Sequence, residues 1–216
     1  MILIVVQILL AYITGSIPSA VWIGKGLYGI DVRQHGSGNA GATNVIRVLG
    51  YKAGIPVMLF DVFKGWFAVF LVSLFANKGM TPDQIIYIKI GAAAAAAIGH
   101  VFPIFAGFHG GKGVGTMAGV GIALFPWALL IVLGIFIASL AISRYVSLSS
   151  CIAAAAFPFI VVFITGEVFI TGEYHPGLVI LSVFVTVFVL FTHRSNILRL
   201  LKGEEKKFNF RGGGKK

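Results

Sequence analysis

GVGTMAGVGIALFPWALLIVLGIFIASLAIS, residues Gly113–Ser143, runs for 31 residues without a charged side chain. A helix of that length rises about 46 Å, well beyond a bilayer hydrocarbon core of about 30 Å, yet the stretch is too short for two full spans. Pro126 stands near its middle, and its first half is glycine-rich (Gly113, Gly115, Gly119, Gly121). It reads either as one tilted helix or as two short helices broken at Phe125-Pro126. The choice sets the parity of membrane crossings, and with it the side on which every loop lies.

Further uncharged stretches lie on either side. They are Met1–Gly24, Gly65–Asn77 extended backward by Ala53–Phe60, Ile90–Gly111, Tyr145–Gly166 and Tyr174–Arg194. Asp61 and Lys64 interrupt the second. Of the 216 residues, 58% are hydrophobic and 11% charged, against roughly 45–50% and about 25% in an average globular chain. That excludes a disordered chain and speaks against a water-soluble one; the expected class is an all-α, polytopic integral membrane protein. Met1 leads straight into Ile2–Leu10 with no basic segment, so the first stretch reads as a retained helix and not a cleaved signal. Ala92–Ala97 suits close helix packing within a span.

Charge decides the parity. With seven spans and the amino terminus outside, the inside segments hold Lys25, Arg33, Arg47, Lys52, Lys112, Arg144 and the eight Lys/Arg after Thr192, which are fourteen of the 17 basic residues. Lys64 lies near an inside end. Lys78 and Lys89 fall toward the outside with Asp83, Glu167 and Glu173. Six spans would force a basic segment outside, so seven are expected, with the carboxyl terminus in the cytoplasm. The net charge of +10 then reflects orientation and attraction to anionic lipid, not nucleic-acid binding. A lone Cys151 excludes an intramolecular disulfide and a cysteine metal cluster.

The inside loops carry the chemistry. The first contains Gly36-Ser37-Gly38-Asn39-Ala40-Gly41-Ala42-Thr43-Asn44-Val45-Ile46-Arg47. Its glycines let successive backbone N–H groups turn toward one anion; Ser37, Asn39, Thr43 and Asn44 add neutral donors, and Arg47 adds a forked cation. A helix starting near Thr43 would direct its positive end at the same anion. Gly36, Gly38 and Gly41 also match G-x-G-x-x-G, with Asp61 about 20 residues on, but no strand precedes them and Asp61 opens an apolar helix, so a dinucleotide fold is rejected.

The third inside loop, Gly107–Thr116, imitates a P-loop. Ala106 stands where that motif needs glycine, and Gly113 where it needs Ser or Thr for magnesium, so nucleotide hydrolysis is disfavoured. Gly110, Gly111, Lys112 and a helix starting at Gly113 still favour an anion, although Lys112 could simply snorkel to the interface. His100, alone in an apolar span, reads as a packed hydrogen-bonding group. Asp61 and Lys64, at i and i+3, can pair structurally, and an intramembrane ion pair is equally a functional suspect. Arg144-Tyr145-Val146-Ser147 and the stretch His193–Lys206 also face inside. The latter reads as an amphipathic interfacial helix with Ile197, Leu200 and Leu201 toward lipid, which leaves His193, Asn196 and Arg199 within reach of one anion.

Three sets of these residues resemble the motifs of the bacterial acyl-phosphate-dependent glycerol-3-phosphate acyltransferases, the PlsY family. The first comprises Gly15-Ser16-Ile17-Pro18, Asp31-x-Arg33 and Gly36-Ser37-Gly38-Asn39-x-Gly41-x-Thr43-Asn44-x-x-Arg47. The second is Gly99-His100-x-x-Pro103 with Gly110-Gly111-Lys112-Gly113-Val114. The third is Asn196-x-x-Arg199-Leu200-x-x-Gly203-x-Glu205, and Asp61-x-x-Lys64-Gly65 is similar to the family's second helix. The resemblance covers residues 1–208 as one acyltransferase domain. It leaves 209–216 as a flexible basic tail, within a run from Phe208 that carries no assigned chemistry.

The resemblance implies transfer of a fatty acyl group from acyl phosphate to a hydroxyl of glycerol 3-phosphate, giving 1-acylglycerol 3-phosphate and phosphate at the start of phospholipid synthesis. It implies a multi-pass protein of the bacterial inner membrane with its active site on the cytoplasmic face. No metal, cofactor, nucleic acid or obligate protein partner is expected; the partners are the two substrates and membrane lipids. The His-x-x-x-x-Asp signature of thioester-dependent acyltransferases is absent after each of the 5 histidines. Lys112, His193 and Ser37 are the expected catalytic residues. Lys112 would stabilise developing charge, His193 or a donor phosphate oxygen would take the proton, and Ser37 is the rival as a nucleophile. The expected phosphate-binding set is Gly36, Gly38, Asn39, Gly41, Thr43, Asn44, Arg47, Gly110, Gly111, Gly113, Arg144, Ser147, Asn196 and Arg199, with Asp61, Lys64 and Glu205 in support. A transporter for an organic phosphate is the competing class, since glycine-broken helices suit it too.

Overall fold

The computed structural model describes residues 1–76, 79–164 and 175–210. The expectations on Lys78, Glu167, Glu173 and the glycine run of the tail lie outside these residues. The described residues form α-helices and short turns and contain no strand, which removes the βαβ context a dinucleotide fingerprint needs. The helices are α1 (Ile2–Gly15), α2 (Ser19–Tyr28), α3 (Ala42–Leu49), α4 (Tyr51–Phe75), α5 (Pro82–Val101), α6 (Val114–Leu124), α7 (Pro126–Ser143), α8 (Val146–Phe159), α9 (Pro176–Thr192) and α10 (Arg194–Leu201).

Gly113–Ser143 is broken at Phe125-Pro126, one of the two arrangements its sequence allows. α6 ends at Leu124, and Pro126 takes the first position of α7, where its missing N–H costs nothing. α6 has 11 residues, about 16 Å of rise, roughly half a hydrocarbon core. Four helices are long and apolar enough to cross a membrane: α4, α5, α7 and α8. Two bent pairs, α1 with α2 (40°) and α9 with α10 (59°), raise the number of candidate spans to six.

Two stretches read as continuous are interrupted. The first bends at Ser16-Ile17-Pro18, because proline donates no N–H and pushes the residue before it out of the helical region. The third ends at Val101, and Phe102–Lys112 is loop with one 3₁₀ turn at Ile104–Ala106. The loop expected from Gly107 thus begins earlier, at Phe102, where absence of charge had suggested span and Pro103 ends the helix.

The described residues pack as two compact units, those within 1–120 together with 209–210, and those within 121–208. In the first, Ala11, Ala68, Val72, Ile88, Ala92, Ala95 and Ala96 bring α1, α4 and α5 together. Small residues allow the approach: a Cβ on Gly15 would enter the Ala96 carbonyl, and one on Gly65 the Thr116 carbonyl. A second cluster, Ala20, Val21, Val32, Ala40, Val45, Ala53 and Val57, lies beneath the first glycine loop and anchors it. In the second unit, Phe125 meets Phe157 of α8 edge-on at 5.1 Å, and Thr186 of α9 donates to the Ala154 carbonyl at 2.6 Å. Large side chains such as Ile142, Phe159 and Phe163 stay exposed, as lipid-facing residues do.

Candidate active site

In the first unit the Gly36–Gly41 loop is shaped by Asn44. This residue is 2% exposed. Its Oδ1 accepts the Ser37 N–H at 2.8 Å, and its Nδ2 donates to Val32 O at 2.8 Å and His35 O at 3.0 Å. Both amide protons are engaged within the protein, so in this arrangement Asn44 holds the loop. Gly36 and Gly38 adopt φ of +67° and +73°. Gly41 does not; it is the extended cap residue before α3, at φ −133°. α3 begins at Ala42 without a capping side chain, which leaves its amino end suited to an anion. Arg47 sits in the last turn of α3, so its long side chain, and not its place in the helix, must carry charge toward the loop. Asn39 and Thr43 flank Gly41, half-buried.

The Phe102–Lys112 loop lies against the first. An ideal Cβ on Gly111 would stand 2.9 Å from the Ala40 carbonyl and would enter the His100 ring. Gly110 and Gly111 donate their N–H groups to Val101 O (3.1 Å) and His100 O (3.2 Å), folding the loop back on the end of α5. Lys112 follows, half-buried. Gly113, at φ +82°, accepts the Met117 N–H at 2.7 Å, so α6 starts one residue later than expected.

Beneath both loops lies a buried polar cluster. Asp61 and Lys64 pair at 2.9 Å, both nearly inaccessible. Ser19 donates to Asp61 at 2.8 Å, and Lys64 donates to the Ile17 carbonyl at 2.9 Å. His100 Nδ1 lies 3.6 Å from Asp61 and 3.1 Å from the Thr116 hydroxyl. Pro18, Ala40, Gly110 and Gly111 join Asp61, Lys64 and His100 around one cleft.

In the second unit Glu205 is the hub. Its carboxylate accepts from the Ser147 hydroxyl (2.7 Å), Asn196 Nδ2 (2.6 Å) and Arg199 Nε (2.8 Å). Burial alone would raise this carboxyl, but the Ser147, Asn196 and Arg199 donors outweigh it, and the pKa falls below its ordinary 4.5. Three expected phosphate contacts thus converge on the residue expected to support them. Arg144 caps α7 at φ +62°, and its carbonyl accepts the Phe208 N–H at 2.6 Å. His193, 3% exposed at the α9–α10 junction, places Nδ1 2.8 Å from Val189 O.

Residues 5–203 match the glycerol-3-phosphate acyltransferase family. This chain belongs to that family. Among its relatives, the proteins named glycerol-3-phosphate acyltransferase from Chlorobium phaeobacteroides (strain DSM 266) and Chlorobaculum tepidum are 43% and 45% identical. They cover 97% and 94% of this chain, and 98% and 95% of their own lengths are matched. Two crystal structures of PlsY (YgiH), an integral membrane glycerol 3-phosphate acyltransferase, are similar at 30% identity. The glycerol 3-phosphate form gives a TM-score of 0.81 over 95% of this chain and 96% of that one. The lysophosphatidic acid form gives 0.79 over 95% of each. Like them, this acyltransferase-family chain is a helical, multi-pass membrane protein.

Within the acyltransferase fold the glycines are unequal. A Cβ on Gly36 would enter the Asn44 carboxamide and come within 2.9 Å of Val48, whereas one on Gly38 would meet only Arg33 O at 3.3 Å, and one on Gly41 the Asn39 side chain at 2.9 Å. Gly36→Ala should therefore lower turnover most, Gly38→Ala less through backbone strain of about 1 kcal/mol, and Gly41→Ala least. Steady-state kinetics on the three variants checks the order; equal activity in all three would reduce the loop to a connector.

Glu205 gives a pH prediction. Because its folded pKa is depressed, its stabilising contribution is complete above pH 4.5 and is lost as pH falls through the lower folded value. Glu205→Gln should melt earlier than wild type at neutral pH, and the two melting temperatures should converge on acidification. A gap that persists at low pH would assign the effect to packing.

Sequence reading missed Ser19 and Thr116, and it quoted Asp31-x-Arg33 as part of a motif without giving the pair a role. The Asp31-x-Arg33 spacing was the available signal; Ser19 and Thr116 acquire partners only through folding.

Proposed function

We propose that the chain moves a fatty acyl group from acyl phosphate to glycerol 3-phosphate, with residues 1–208 as the catalytic domain and 209–216 as a basic tail. The observation that carries this reading is the meeting of two glycine-bearing loops in the first unit, with Lys112 in one and Arg47 on the helix that follows the other, because both substrates carry a phosphate. The glycerol hydroxyl oxygen bonds to the acyl carbonyl carbon, the carbon–oxygen bond to phosphate breaks, and phosphate leaves. Acyl phosphate is a mixed anhydride and needs no further activation, so attack is direct. The hydroxyl proton passes to a donor phosphate oxygen or to His193, while Lys112 and loop N–H groups stabilise the oxyanion and the leaving phosphate. No cofactor enters.

Among the described residues no base hydrogen-bonds the exposed Ser37 hydroxyl, which favours direct attack over an acyl-Ser37 intermediate. Formation of lysophosphatidate by the purified protein from acyl phosphate and glycerol 3-phosphate tests the reading. No product, or product only from an acyl thioester, overturns it, and a trapped acyl-Ser37 overturns direct transfer.

The accompanying topology has seven spans, with the amino terminus outside, the carboxyl terminus in the cytoplasm and the site on the cytoplasmic face of the bacterial inner membrane. Short α6 is then one crossing. Cysteines introduced at Ser37, Lys112 and Asn196 should react only with permeant reagents. Labelling of any one from the periplasm would break the seven-span arrangement.

A further inference from the structure

We propose that the Asp31–Arg33 pair is a positioning clip that sets the Lys112 loop in register with the Gly36–Gly41 loop, so that Arg33 serves acyl transfer through Lys112 without touching substrate. The inference rests on the acyl-transfer reading above.

Arg33 lies at the start of the first loop. Its Nε donates to Asp31 Oδ1 at 3.0 Å, its Nη2 to Asp31 Oδ2 at 2.8 Å, and its backbone N–H to Oδ1 at 3.0 Å. Lys25 approaches Oδ2 at 3.1 Å. A guanidinium is planar, so fixing two of its nitrogens fixes the third. That third nitrogen, Nη1, crosses to the other loop and donates to Ala106 O at 2.9 Å. The Asp31 side chain is 10% exposed; its bond from the Arg33 side chain, opposed in part by burial, holds its carboxyl well below the usual carboxylate range, so the clip stays charged at any physiological pH.

Ala106 is a point where such a clip has leverage. It ends the 3₁₀ turn and is followed by Gly107 and Phe108, both left-handed at φ +63° and +62°. A bulky residue keeps that conformation only when its surroundings impose it. The Phe108 N–H is held by Pro103 O at 2.9 Å, and Arg33 holds the Ala106 carbonyl two residues earlier. Beyond Phe108 the loop closes on the end of α5 through Gly110 and Gly111 and delivers Lys112. Other restraints on this loop are the Gly110 and Gly111 N–H groups, which donate to the end of α5, and the Tyr12 hydroxyl, which donates to Phe102 O at 2.9 Å. The Arg33 bond to Ala106 O differs from these in coming from the loop with which Lys112 must cooperate.

The test is a double-mutant cycle on purified protein with acyl phosphate and glycerol 3-phosphate. Arg33→Gln should lower kcat/KM about ten- to a hundredfold in the wild-type background and less than about twofold in a Lys112→Ala background. Arg33→Lys should not rescue, because one ammonium cannot serve Asp31 and Ala106 together. Asp31→Asn should follow the same pattern with a smaller loss. Independently of turnover, hydrogen exchange across Ala106–Lys112 should quicken in Arg33→Gln.

An Arg33→Gln loss that persists undiminished beside Lys112→Ala overturns the clip and makes Arg33 a substrate contact. Wild-type activity or unchanged exchange in Arg33→Gln overturns it as well. Should Arg33→Gln not reach the wild-type melting temperature, the charge-preserving Arg33→Lys and the isosteric Asp31→Asn carry the same cycle with the same two outcomes. A wild-type protein that makes no lysophosphatidate sinks the acyl-transfer reading before any variant is compared.

Discussion

Lys112→Ala should lower acyl transfer about ten- to a hundredfold while the protein keeps its helices and its melting temperature. A charge-assisted contact to phosphate is worth about 1.5–3 kcal/mol, and each 1.4 kcal/mol or so is a factor of ten. The structure explains why the loss should be selective. Lys112 is half-buried between Gly111 and Gly113, and the Gly110 and Gly111 N–H groups hold the loop onto the end of α5 through bonds that Lys112→Ala does not remove. Arg47→Ala should lose activity in the same range, and Arg47→Lys should recover only part, since a point charge cannot fork across two phosphate oxygens. Steady-state kinetics with a melting curve on each variant decides. Activity like wild type in either alanine variant would return that residue to the role of membrane anchor.

The features read most directly from sequence were those set by neighbours along the chain. Asp61 and Lys64 at i and i+3 on one helix form the expected pair, and the strand-free surroundings of Gly36 agree with the rejected dinucleotide motif. The break at Phe125-Pro126 was one of two readings, and the structure chooses it. Stretches recognised by lack of charge fared worse at their ends, because lack of charge does not require a helix. Phe102–Ala106 is uncharged and belongs to the loop that was expected only from Gly107, since Pro103 ends the helix. What stayed hidden were partners brought together by tertiary closure. Ser19 finds Asp61 across 42 residues, and Ser147 finds Glu205 across 58; no local spacing encodes either. Asn44 shows a third case. Its residue type suggests a donor to phosphate; what the sequence does not show is that folding buries the amide and engages it with the loop backbone.

Lys64→Ala should be the most destabilising of the changes considered. Asp61 is 3% exposed within a membrane-crossing helix, and the substitution would leave its carboxylate with only the Ser19 hydroxyl and, farther off, His100. The Ile17 carbonyl, at the bend where Pro18 donates no N–H, would lose the Lys64 ammonium as well. Removing one partner of a buried ion pair costs about 3–5 kcal/mol, chiefly because the other charge stays buried. Removing both charges need not cost that much, so Asp61→Asn combined with Lys64→Met should recover much of the loss. Melting temperatures of the wild type, Lys64→Ala and the double variant in one detergent separate the explanations. If the double variant is no more stable than Lys64→Ala, the loss belongs to the packing of the lysine stem among Gly65, Ala68 and their neighbours. If Lys64→Ala melts with the wild type, the pair does not hold α4 to the α1–α2 bend. The electrostatic argument requires a large single loss and its partial repair in the double variant.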